Sequence, residues 1–121
     1  MSFRFSDAVG CYRLVVSEEL LAFIERAFVA PAAEADRAAV RAEALAEAAA
    51  AELEIEPGGV IVSRAAGQEF YRIGLPVTED LLDELVFEKS PGQLVTLRVP
   101  GPGSVVAVQA GRPQVTFVRV R

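Results

Sequence analysis

Apolar residues recur along this chain with two periods, and the alternation between them predicts its elements. Phe3-Arg4-Phe5 and the run Cys11 to Val16 are rich in aromatic and branched residues and are separated by the polar turn SDAVG. They read as a hairpin or as one interrupted strand. Ser17 has the side chain of a helix N-cap, and Glu18 and Glu19 suit the positive end of a helix dipole. Leu20, Ile24, Ala27 and Phe28 then recur at helical spacing, with Leu21 and Phe23 widening the stripe, and Pro31 closes this helix. From Ala32 to Leu53 the chain is mostly alanine interleaved with Glu and Arg, the composition of highest intrinsic helix propensity. A long helix is predicted there, with Val40, Leu45 and Leu53 as its large apolar residues.

Glu56-Pro57-Gly58-Gly59 is a turn signal. It introduces two strands, Val60 to Arg64 and Glu69 to Val77, joined by Ala65-Ala66-Gly67-Gln68. The second strand has apolar groups on both faces, which predicts cover on both. Thr78 reads as another N-cap, and Leu81, Leu82, Leu85 and Val86 as the stripe of a short helix ending near Ser90-Pro91-Gly92. Leu94 to Val99, Val105 to Gln109 and Val115 to Val120 follow as three strands punctuated by Pro/Gly turns, an antiparallel meander. The expected architecture is a single α+β domain over residues 1–121. An antiparallel sheet of about five strands, plus an N-terminal strand or hairpin, carries two N-terminal helices and one short middle helix on one face.

From the long helix onward this order of elements resembles the small domains of the roadblock/dynein-light-chain type, which run helix, hairpin, helix, three-stranded meander and final helix. Here the final helix is missing, the middle helix is short and two further elements come first. The resemblance is one of topology alone and implies no functional residue.

Composition narrows the chemistry. The chain of 121 residues is 52% apolar and 24% charged, with no histidine and one cysteine. Without histidine there is no Ser-His or Cys-His nucleophile, and a lone cysteine excludes a thiolate metal cluster within one chain. A formal charge of −5 argues against a surface built to neutralise phosphates, so nucleic acid is an unexpected partner. The charge is uneven: no acid follows Glu88, whereas Lys89, Arg98, Arg112, Arg119 and Arg121 do. The absence of a signal-like stretch, of a disulfide pair and of any 20-residue apolar run leads to an expectation of a cytoplasmic protein with no membrane span.

Few constellations remain. Glu79 with Asp83 and Asp80 with Glu84 are four apart and would share a face of the short helix, where a solvated surface is their ordinary meaning. Cys11 reads as a small core residue. Gly58-Gly59 precedes a strand and is no phosphate loop. Tyr12, Phe70, Tyr71 and Phe117 alternate with Arg13, Arg72 and Arg119 as in a base-stacking sheet face, but no RNA-binding signature surrounds them. The expectation is therefore a non-enzymatic interaction or assembly module with no cofactor and no metal, partnering itself or another protein. Its candidate interface is Phe23, Phe28, Val40 and Leu45 on the helices, with Val118 and Val120 on the final strand. The alternative is a small-molecule sensor with a pocket bordered by Tyr71, Arg72 or Arg98.

Overall fold

The structure is a computed structural model describing residues 2–121. Its elements are α1 (Phe5–Ala8), β1 (Gly10–Leu14), α2 (Glu18–Ile24), α3 (Arg37–Ala50), β2 (Ala51–Ile55), β3 (Val60–Ala65), β4 (Gln68–Gly74), β5 (Leu85–Ser90), β6 (Gln93–Gly101), β7 (Ser104–Val108) and β8 (Val115–Arg119). All eight strands belong to one sheet of order β4-β3-β2-β1-β8-β7-β6-β5, antiparallel throughout. Two four-stranded meanders are thus joined by the pairing of the first strand with the last. The outer strands β4 and β5 meet through side chains without a hydrogen-bonded ladder, Tyr71 lying 5.6 Å from Phe87 between ring centroids. The result is a nearly closed up-and-down barrel.

This corrects the expected five-stranded sheet with helices on one face. The sheet buries its inner face against itself, so no helix layer is needed there. Two segments with helical character in sequence are strands. Ala51–Ile55 continues the alanine run, yet Leu53 and Ile55 alternate with Glu52 and Glu54, and pairing with β1 and β3 wins over helix propensity. The predicted helix after Thr78 is absent. The Thr78 hydroxyl accepts from the Asp80 N–H in a local turn, Leu82 bridges to Phe3, and Leu85 and Phe87 point inward at strand spacing. The middle helix of the roadblock-like order is lost with it, so the topological resemblance does not hold. The expected N-terminal strand is likewise split: Phe3 forms only the bridge to Leu82, and Phe5 opens α1.

Other expectations match. Ser17 caps α2, its Oγ accepting from the Leu20 N–H at 3.1 Å. A π turn over Glu25–Val29 extends α2 to the point where Pro31 stops it. Ala66 and Gly67, both at positive φ, make the tight β3–β4 turn. At Gly59, with φ of 94°, a Cβ would run into the Leu75 carbonyl, so glycine is required there. The cover expected on both faces of β4, by contrast, is not found: Tyr71 and Ile73 pack inward, Arg72 is exposed on the outer face, and Phe70, at an irregularity in the β3–β4 register, is 49% exposed.

The barrel core holds Tyr12, Leu53, Ile55, Ile61, Phe87, Val95, Leu97 and Val105, and its lower end is stoppered by the N-terminal segment. Phe3, Phe5 and Ala8 are almost fully buried there. The segment is tied down by the Tyr12 hydroxyl, which donates to the Ala8 carbonyl at 2.6 Å, and by Arg119, which donates to the Asp7 carbonyl at 2.7 Å and to the Tyr12 oxygen at 3.0 Å. A second, smaller cluster of Leu20, Ile24 and Val29 fastens α2 and α3 beside Leu14 and Val115. Among the described residues, no helix is long and apolar enough to cross a membrane.

Phe5→Ala tests the stopper. Loss of a buried aromatic ring costs about 3 kcal/mol or more where the site cannot collapse. Urea unfolding is expected to show that loss, whereas a change under about 1 kcal/mol would mean that the segment is a loose appendage.

Candidate functional site

The end of the barrel opposite the stopper is open. Its floor is apolar: Leu53 from β2, Val95 and Leu97 from β6, and Ala107 from β7. Val115 and Phe117 of β8 form one wall, and Ser63, Phe70 and Tyr71 of β3 and β4 the facing one. Glu47 of α3, Lys89 of β5, and Gln109 and Arg112 of the β7–β8 connection complete the lining. The cavity measures about 360 Å³. That lies within the range for small-molecule sites, and the lining combines an apolar floor with about as much polar as apolar exposed surface.

Strand register explains why these side chains converge. Tyr12, Leu53, Ser63 and Tyr71 are successive Cα partners across β1 to β4, so they lie in one inward-facing row. On β5 the inward positions Leu85 and Phe87 are followed by Lys89, which carries its charge to the opening. Arg112 comes from a turn in which its own N–H donates to the Gln109 carbonyl at 3.3 Å.

The electrostatics of this rim differ from those of the outer wall. Elsewhere five arginines have carboxylate partners, Arg64 with Glu54 at 2.8 Å, Arg72 with Glu69 at 2.8 Å, Arg98 with Glu84 at 3.4 Å, Arg13 with Glu52 at 3.7 Å, and Arg41 with Glu25, while Arg4, Arg26, Arg37, Arg119 and Arg121 are exposed with none among the described residues. Among the described residues Lys89 and Arg112 enter no ion pair. Partial burial, with the neighbouring Arg112 charge, pushes the Lys89 ammonium below its ordinary value. Burial pushes the Tyr71 phenol up to about 12, the Ser63 hydroxyl beside it opposing the shift, so Tyr71 offers a neutral O–H to whatever enters.

Of the ligand-site residues chosen from sequence, Tyr71 lines this cavity. Arg72 and Arg98 lie on the outer wall, engaged by Glu69 and Glu84. The interface candidates fall into two places. Phe23 and Phe28 stack edge to face at 5.9 Å beside an apolar groove of about 290 Å³ that also takes in Leu14, Leu20 and Ala48, while Val40 and Leu45 pack on the small helical core. Val118 and Val120 are exposed near the end of the final strand. Strand β8 is flanked by β1 and β7, so it leaves no edge for strand addition. Cys11 is buried on the outer face of β1, its thiol 3.4 Å from a Glu54 carboxylate oxygen. The Glu79/Asp83 and Asp80/Glu84 pairs lose their shared helix face, and no group of three metal-ligating side chains occurs among the described residues.

Sequence reasoning missed Ser63, Glu47, Lys89, Gln109 and Arg112. The signal that finds Lys89 is the alternation Leu85-Phe87-Lys89; for Arg112 it is a cation with no acid downstream to pair with. No protein-family model matches the chain, and no curated protein or solved structure matches it either.

The buried phenol has a pH signature. Folding raises the Tyr71 value from 10.0 to about 12, so the unfolded chain gives up its proton first. The stabilisation is complete below the unfolded value and is lost as pH climbs from there through about 12, by about 3 kcal/mol in all. Urea unfolding across this range is expected to show that decline in the native protein and to lack it in Tyr71→Phe. Parallel slopes would place the phenol in water.

Proposed function

We propose that the protein binds a small, largely apolar molecule in the open mouth of its barrel and performs no chemistry on it. The observation that carries this reading is the cavity floored by Leu53, Val95, Leu97 and Ala107 with Tyr71 at its wall. An eight-stranded barrel has an interior of the right width to hold one small ligand, and here the opposite end is already filled. The absence of histidine removes the commonest general base, and a phenol held protonated at neutral pH is a hydrogen-bond donor and no nucleophile.

A neutral environment-sensitive dye tests the site without presuming a head group. Dye is expected to brighten with the native protein and to raise its unfolding midpoint, since a ligand that binds only the folded state stabilises it. Ala107→Phe, which fills the cavity from its floor, is expected to abolish the signal in a folded protein, whereas Phe28→Ala, in the adjoining groove that shares only Glu47 and Arg112 with the mouth, leaves it unchanged. Undiminished binding by the filled variant would remove the reading.

Self-association is a second reading, favoured by Phe28, 46% exposed beside the apolar groove between α2 and α3. The occupant is then a second copy of the chain. Light scattering is expected to report a dimer that Phe28→Glu converts to monomer; a native protein that stays monomeric at high concentration ends this reading.

A further inference from the structure

Resting on the reading of the barrel mouth as a binding site, we infer that its ligand is a hydrophobic monoanion, a carboxylate on an apolar body, seated with its charged end between Lys89 and Arg112. Three observations carry this. The first is the placement of two cations: several exposed arginines also lack a carboxylate partner, but among the described residues Lys89 and Arg112 are the cations that line the cavity, and neither enters an ion pair there. The Lys89 ammonium is partly buried and lies in the field of the exposed Arg112, and both work against its charge; an anion placed between the two reverses that.

The second is a small polar cleft of about 180 Å³ adjoining the apolar cavity and sharing Lys89, Gln109 and Arg112 with it. One ligand can therefore put its head in the cleft and its body over Leu97 and Val95. An arginine fork matches the two oxygens of a planar carboxylate, and the lysine supplies a point charge from the side. The third is the charge count around the mouth. Lys89 and Arg112 stand against the single carboxylate of Glu47, which leaves one net positive charge. That balance suits a monoanion, and Glu47 disfavours a second negative charge such as a phosphate monoester carries.

The test uses a series in which only the head group changes: octanoate, octanol, octylammonium and octyl phosphate, titrated into the full chain and followed by NMR shifts at Tyr71, Val95 and Leu97. Octanoate is expected to bind at the mouth about tenfold or more tighter than octanol, with octylammonium weakest and octyl phosphate weaker than octanoate. In the Lys89→Gln/Arg112→Gln double variant the preference of octanoate over octanol is expected to vanish while octanol binding persists, which also shows that the variant is folded. Equal binding of octanoate and octanol by the native protein overturns the anion assignment and leaves the apolar site standing. Tighter octyl phosphate overturns the monoanion. No shift at the mouth with any of the four overturns the binding-site reading itself, and the inference with it.

Discussion

The barrel exists because β1 pairs with β8. Each meander alone is a four-stranded sheet with one apolar face; only when Tyr12 lies opposite Arg119 and Leu14 opposite Phe117 do the two faces enclose a common interior. The pairing joins residues near opposite ends of the chain, so it carries the largest loop-closure cost of the sheet's pairings. It also dictates local chemistry. Gly10 has φ of 153°, and a Cβ there would come within 3.1 Å of the Arg121 backbone oxygen, so glycine lets the end of the chain lie close against the start of β1. Once docked, Arg119 and Tyr12 together hold the N-terminal stopper.

That closure produces two unlike ends. At one, Phe3 and Phe5 fill the lumen with rings, and Arg119 spends its hydrogen bonds on backbone and phenol. At the other, nothing of comparable size enters from above. The helical pair α2–α3 packs to the side, on Leu14 and Val115, and contributes only Glu47 to the rim. The alanine content of α3 accounts for this: a helix with no fully buried side chain lies along a surface and has no bulk to push into a lumen. Both meanders wall the remaining cavity, so its shape depends on the same β1–β8 closure as the core.

Local elements whose signals are local were legible in the sequence. The Ser17 cap, the Pro31 stop, the Ala66-Gly67 turn and the strands of the final meander follow from side chains within a few residues of each other. What failed depends on distant partners. Ala51–Ile55 has helix formers throughout, and only ladders to β1 and β3 make it a strand. Leu81, Leu82, Leu85 and Val86 satisfy a helical period as well as Leu85 and Phe87 satisfy a strand period, and the contact of Phe87 with Tyr71 across the seam favours the second. A helix ending near Ser90 puts Lys89 in its last turn, and that helical reading hides the inward row Leu85-Phe87-Lys89. Tyr71 was the part of the site that sequence could supply, an aromatic in a well-signalled strand; its neighbours at the mouth come from segments whose facing is set by closure.

The charge pattern separates structure from use. An exposed ion pair on the outer wall contributes little to stability, but it leaves no charge unanswered, and the acids of the first meander answer its own arginines: Glu54 holds Arg64, and Glu69 holds Arg72. In the second meander the supply of acids stops at Glu88, so a cation beyond it needs a partner from elsewhere in the fold. Arg98 finds Glu84, and Arg119 finds backbone and phenol oxygens. Lys89 and Arg112 instead both line the cavity mouth, where partial burial and the Arg112 charge work against the Lys89 ammonium. A charge held against burial at a cavity rim is what the anionic ligand proposed above would make favourable, whereas a neutral polar residue at position 89 would carry no such penalty.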